Sequence, residues 1–467
     1  MIQTLRNIWE IPDLRKRVLF TLAMLAIFRL GSHIPTPGIN AAALIDFFER
    51  NRSNWFGLVD MFSGGNLARV TVFALGIMPY ISASIILQLL QVVWPYLEKL
   101  SKEGELGRRK ITQYTRYGTI LLSVVQSLGI AVYLEGLTLT EGYHIVSHPG
   151  IAFKAMTVLT LTTGTAFVMW LGEQITERGI GNGMSLLIFA GIVVGFPSGV
   201  LTTFRMVQRG ELGLLATIFL LAMMVGVVAA IVFMERGQRR ITVQYAKRVV
   251  GRRMYGGQST HLPLRVNTAG VIPVIFASSI ITLPQTLAGL FSARSQWMDT
   301  LAEQLQWGMP LYNLLYVTFI IFFCYFYTSI VFNPDDVAEN MRKYGGFIPG
   351  IRPGKRTAEY LDYTLGRITF AGSLYLAAIS LLPEFLIAGF KVAPIPVIGP
   401  GLDVFLSQNN LAWITEGLNL NFYFGGTSLL IVVGVAMDTV AQIEAQLIMR
   451  HYDGFTGKGG RRLRGRR

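Results

Sequence analysis

His144 and His148 are the one histidine pair spaced so that both rings could face a metal from a single helix. Gly142, Pro149 and Gly150 crowd that segment, so it reads as an outer loop and no metal is expected. Gly179, Gly181 and Gly183 make a glycine-rich turn between two apolar runs rather than between a strand and a helix, which suits a tight turn better than a phosphate cradle. The sequence has no Walker motif, no dinucleotide fingerprint and no paired nucleophile and base. The expectation is a protein that is not an enzyme and uses no cofactor. Arg29, Asp438 and Glu444 are the few ionisable residues inside apolar runs, fewer than a proton or ion pump would carry. Cys324, the single cysteine, sits in the run Leu311 to Phe332 and reads as a small packing residue.

The remaining chemistry is positive charge. Residues 235–267 hold Arg236, Arg239, Arg240, Lys247, Arg248, Arg252, Arg253 and Arg265 against one acid, Glu235. The alternation Ile241, Val243, Tyr245 predicts a strand leading to a turn at Gly251. A second long connection covers 334–367. Such arms suit docking of an acidic partner, and charge alone equally allows them to serve only in orienting the chain.

The elements that carry these arms follow from composition. Of 467 residues, 52% are hydrophobic and 15% charged, against roughly 25% charged in a soluble domain. Apolar runs long enough to cross a bilayer fall near Val18–Ile34, Val70–Val93, Tyr117–Leu134, Ile151–Leu171, Met184–Phe204, Leu212–Met234, Ala269–Leu290, Leu311–Phe332, Ile368–Phe390 and Gly425–Leu447. The first follows Arg15-Lys16-Arg17 like a signal peptide, but Arg29 interrupts it and no cleavage site follows, so it is expected to be retained. With both termini in the cytosol, the cytosolic segments hold 32 of the 41 lysines and arginines, which favours ten spans.

Several motifs carry a family likeness. They are Phe62-Ser63-Gly64-Gly65-Asn66 leading into Phe73 to Ile86, Gly107-Arg108-Arg109-Lys110 with Gln113 to Gly118, the turn Gly172 to Gly183, Glu235 to Arg240, Gln258 to Leu264, Gly350-Ile351-Arg352-Pro353-Gly354, and Phe422 to Ile431. In order and nearly end to end, the sequence resembles the bacterial SecY family. That resemblance implies an all-α integral membrane protein of ten transmembrane helices. Two inverted five-helix halves, 1–206 and 207–467, would surround a central hourglass pore with a re-entrant plug at about 57–69. It implies a channel of the general secretory pathway in the cytoplasmic membrane that passes unfolded precursors across and releases membrane segments sideways.

By family position, the pore ring would be Ile77, Ile81, Met184, Ile188, Ile275 and Ile431. The plug would include Met61, Phe62, Ser63, Gly64, Gly65 and Asn66, forming a short half-helix in the funnel. The lateral gate would involve Ser82, Gln126, Ser279 and Leu283, with hydrogen bonds between polar members across the seam. Cytosolic partners would dock at Lys247, Arg252, Arg253 and Arg352. The partners implied are the small subunits SecE and SecG, the motor ATPase SecA, the ribosome, signal sequences and lipids, with SecD/SecF and YidC as further candidates. The outer segment Val392–Asn421, with Pro394, Pro396 and Pro400, is longer than in shorter members and would cap the outer mouth or meet outer-side partners. A solute transporter with broken helices and an intramembrane enzyme are the alternatives, and the sparse in-span charges and missing nucleophile count against them.

Overall fold

The computed structural model describes residues 11–40, 43–44, 64–140, 145–210, 213–245, 248–250, 253–255, 259–291, 300, 304–306, 308–389 and 426–455. Each of the ten predicted spans overlaps one helix. These are α1 (Pro12–Gly31), α2 (Met78–Val93), α4 (Glu105–Thr140), α5 (Ile151–Arg178), α6 (Gly183–Gln208), α7 (Leu214–Arg236), α8 (Ile272–Phe291), α9 (Pro310–Val331), α11 (Lys355–Ala388) and α12 (Gly426–Phe455). Two short helices, α3 (Pro95–Lys102) and α10 (Pro334–Lys343), lie between them. Among the described residues, seven helices, α4 to α7, α9, α11 and α12, are individually long and apolar enough to cross a membrane, and α2 with α3 makes an eighth if that pair, bent by 99°, is one span. In α1 the charges Asp13, Arg15, Lys16, Arg17 and Arg29 dilute the apolar run. In α8 the described apolar stretch is Ile272–Thr282.

Prolines in the first turn open α1, α2, α3, α9 and α10, where the missing N–H has no intrahelical partner to lose. Asn182 caps α6 by accepting from the Met184 and Ser185 amides. Thr115, Thr119, Ser123 and Ser127 recur every fourth residue along α4 and are all buried. Their hydroxyls return to carbonyls of their own helix at 2.7–3.0 Å, so the face is small and satisfied. That face allows the close packing of α4 on α2 and α5. Contacts between the first five long helices and the last five run chiefly through α2 against α8 and α6 against α12.

Helix bounds differ from the expected boundaries at three places. The second span begins eight residues late, because residues 70–77 form turns rather than helix. Val70 at φ 38° and Gly76 at φ 54° break the helical path, and the bonds Thr71 N to Asn66 O and Val72 N to Ile34 O satisfy the freed backbone. The half boundary at 206 falls inside α6, which continues to Gln208. The ninth helix starts at Lys355 rather than Ile368, so part of the second arm is the helix itself.

The first arm is a nested hairpin. Strands β1 (Gln238–Tyr245) and β4 (Ser259–Arg265) pair antiparallel from Gln238↔Arg265 to Gln244↔Ser259, enclosing β2 (Arg248–Val250) and β3 (Arg253–Tyr255). Ile241 and Val243 point inward as the alternation requires. Tyr245 is exposed, and the predicted turn residue Gly251 lies outside the described residues. A third strand, β5 (Gly346–Phe347), comes from the second arm and pairs with β1 through Gln244↔Phe347 and Tyr245↔Gly346. Ile241, Leu264, Ile348, Leu361, Leu365 and Ile368 pack beneath this sheet, so the two arms form one ledge.

Candidate pore, plug and gate

In the largest core cluster among the described residues, Ile77 and Ile81 on the approach to and first turn of α2 come together with Ile188 of α6 and Ile275 of α8. These four isoleucines, with Leu75, Gly76, Met78, Ser278 and Ser279, line one small void. Ile431 is fully buried in the same cluster. Met184 packs against that cluster from its edge, its sulfur occupying the space where a Cβ on Gly172 of α5 would stand. Three helices thus contribute a continuous aliphatic lining that offers water almost no hydrogen bonds. As the constriction of a channel, such a lining would stay dry until something displaced it.

Of the predicted plug, Met61, Phe62 and Ser63 lie outside the described residues. Gly64, Gly65 and Asn66 form turns, not helix. Gly64 sits at φ +73°, and a Cβ there would stand 2.8 Å from the Gly191 Cα of α6, one turn beyond Ile188. Backbone-to-backbone contact of this closeness requires glycine on both grounds, conformation and space. We expect Gly64→Val to push this turn off α6 and raise resting ion leak in reconstituted channels, whereas Gly65→Ala, which meets no neighbour and carries only the strain of its own φ of +81°, causes a smaller change. Equal leak from both variants would dissociate plug seating from the Gly191 contact.

At the predicted gate, Ser82 of α2 and Ser279 of α8 are buried, and Gln126 of α4 is half-buried. The Leu283 side chain is outside the described residues. The Ser279 hydroxyl donates to the Ile275 carbonyl of its own helix at 2.7 Å and reaches across the seam to the Met78 sulfur at 3.9 Å. This polar link across the seam is a weak sulfur contact, softer than the hydrogen bond expected there. Nearby, Arg116 of α4 holds Glu173 of α5 with two bonds of 2.8 Å, a fork-to-carboxylate pair that fixes these helices. Both residues occur in the motifs, yet nothing in a separation of 57 residues announces the pairing.

Of the docking positions, Lys247 and Arg252 lie outside the described residues, and Arg253 opens β3. Arg352 is exposed on a pinned backbone. Gly350 and Gly354 adopt φ +82° and +103°, Ile351 N donates to the Ile348 carbonyl, and the Thr357 hydroxyl donates to the Arg352 carbonyl at 3.0 Å. Thr357 was not foreseen, since a side chain gripping a backbone carbonyl five residues away leaves no pattern in the sequence.

No cluster of three or more His, Cys, Asp or Glu side chains that would hold a metal occurs among the described residues, and His144 is outside them. The family model for SecY matches residues 71–440. The protein translocase subunit SecY of Escherichia coli (strain K12) is 49% identical over 456 residues, covering 97% of this chain and 96% of its own. The chain belongs to the SecY family. Among solved structures, one described as a protein-conducting channel superposes with TM-score 0.61 at 16% identity, covering 93% of both chains. Sec61 in the canine ribosome–channel complex from the endoplasmic reticulum gives 0.57 at 15% identity, again covering 93% of each. The SecY-family fold is therefore an all-α, multi-pass membrane architecture, and the basic sheet ledge is an appendage on it.

Proposed function

We propose that this chain is the protein-conducting channel of the general secretory pathway, passing unfolded precursors across the bacterial cytoplasmic membrane and releasing apolar segments laterally. One observation carries the reading: isoleucines from α2, α6 and α8 line a single apolar void, and the Ser279–Met78 contact of the α2–α8 seam lies on its wall. A constriction that opens along a seam admits a chain end-on and an apolar helix sideways. The two five-helix sets act as inverted halves that separate at that seam, hinged where α6 meets α12. In the resting state the ring of six and the plug together exclude water. With neither nucleophile nor bound cofactor in this reading, the driving force comes from partners. SecE and SecG brace the lipid-facing helices, and SecA or the ribosome presses on the basic ledge.

Transport of a secretory precursor into vesicles containing the chain with its small subunits and the motor ATPase tests the reading. ATP-dependent protection of the precursor from added protease supports it, and absence of protection at normal channel abundance overturns it. Orientation is tested separately. After replacement of Cys324, His148→Cys should react with a membrane-impermeant thiol reagent only from outside and Thr242→Cys only from inside. Labelling of both from one side would remove the assignment of the ledge to the cytosol.

A further inference from the structure

The ledge and the gate are joined at one small polar knot. Glu235 occupies the last turn of α7, where the helix carbonyls disfavour a carboxylate. Its partner is Asn267, which is 5% exposed and whose amide donates to Glu235 Oε1 at 2.6 Å and to the Gly270 carbonyl at 3.0 Å. Both ends of the basic hairpin meet here. β1 leaves α7 through the single residue Gly237, whose carbonyl accepts from Val266 N at 2.9 Å, and β4 ends at Arg265. The carbonyl of Val266 seats against Gly372 of α11, where a Cβ would approach it to 2.7 Å. On the far side of the knot, Gly270 turns the chain at φ +63° into α8. The Val271 side chain fills the notch at Gly434 of α12, and its carbonyl accepts from Ile275 N. Ile275 lines the void, and Ser279, one turn further, touches Met78 across the seam.

We propose that the Glu235–Asn267–Gly270 clasp is the link through which load on the cytosolic ledge moves gate helix α8, which makes Asn267 a positioning residue for opening. The inference rests on the channel reading above. Asn267 does not touch the translocating chain or the docked partner. It holds the root of the hairpin and the start of α8 as one body, so that tilting the ledge turns the helix that carries Ile275 and Ser279. With the clasp broken, the ledge still binds its partner, but its motion is absorbed in the Val266–Gly270 connection.

The test uses Asn267→Asp, which sets a further carboxylate against Glu235 and removes the donor to the Gly270 carbonyl, and the swap Glu235→Gln with Asn267→Asp, which restores the 235–267 bond with the roles exchanged but not the bond to Gly270. Both are examined in the full channel with its small subunits, measuring motor ATPase binding, precursor translocation and channel abundance. Asn267→Asp should lower translocation per channel about tenfold while leaving motor binding within about twofold, and the swap, which remakes one of the two bonds, should recover part of the loss. If Asn267→Asp does not accumulate, Glu235→Gln alone, which weakens the same bond without changing its shape, is judged by the same criteria. Normal translocation by the clasp variant, loss of motor binding in proportion to translocation, or no recovery in the swap would each overturn the link. Failure of the parent channel itself to translocate would strike the channel reading instead, which separates the two.

Discussion

In vesicles holding the channel at rest, Ile81→Asn combined with Ile188→Asn is expected to raise ion conductance well above the parent. Both residues line the same void, from α2 and α6, and both are more than nine-tenths buried. Each asparagine offers pore water hydrogen bonds worth about 1 kcal/mol net. Lowering the barrier by about 2 kcal/mol multiplies passage about thirtyfold. The control is Ile81→Leu with Ile188→Leu, which keeps volume and apolarity and should preserve the seal at a stability cost under about 1.5 kcal/mol. Single-channel recording distinguishes a wet pore from a merely destabilised protein, because the leak must appear in channels present at normal abundance. Parent-like conductance in the asparagine pair would remove these residues from the ion barrier. Since Gly64 rests one turn beyond Ile188, a wet pore and an unseated plug should leak more together than either alone.

Arg352→Glu is expected to abolish motor-driven translocation, and Arg352→Lys to impair it, with insertion, folding and resting seal unchanged for both. Under the proposed function, this loop meets the motor ATPase or the ribosome. The geometry explains why arginine suits the position. The backbone is fixed by Gly350, Pro353, Gly354 and the Thr357 hydroxyl, so an exposed guanidinium projects from a rigid mount and can grip a carboxylate or phosphate with two bonds. Lysine keeps the charge and loses the fork, which removes about 1.5–3 kcal/mol of charge-assisted bonding and weakens docking about tenfold to a hundredfold. Glutamate adds repulsion of several kcal/mol at a charged interface. The docking affinity of the parent should fall with added salt, as expected of an exposed pair. If the arm's charges serve only to orient the chain, Arg352→Lys is silent, because retention counts charge and not shape. Transport and channel abundance measured together decide between these outcomes.

The sequence by itself determined where the chain meets lipid. Apolar runs the length of a bilayer have no other solvent, and each of the ten overlaps a helix, so a property local to some twenty residues largely sufficed. The alternation in β1 was legible for the same reason: Ile241 and Val243 face one way because a strand has period two. The proposed ring positions came from the family resemblance, because composition alone could not separate them from lipid-facing isoleucines. Tertiary structure decided what depends on distant segments meeting. Residues 70–77 are as apolar as a helix, yet they unwind because Val72 bonds to Ile34 of another segment and Thr71 to Asn66. The two-residue strand β5 exists only because β1 offers it an edge, and it turns two arms into one ledge. Arg116 finds Glu173, and Asn267 finds Glu235, across 57 and 32 residues respectively. Hydropathy is a preference of each residue for its solvent and can be read along the chain. A hydrogen bond needs two particular groups within about 3 Å, and only the folded chain specifies which groups those are.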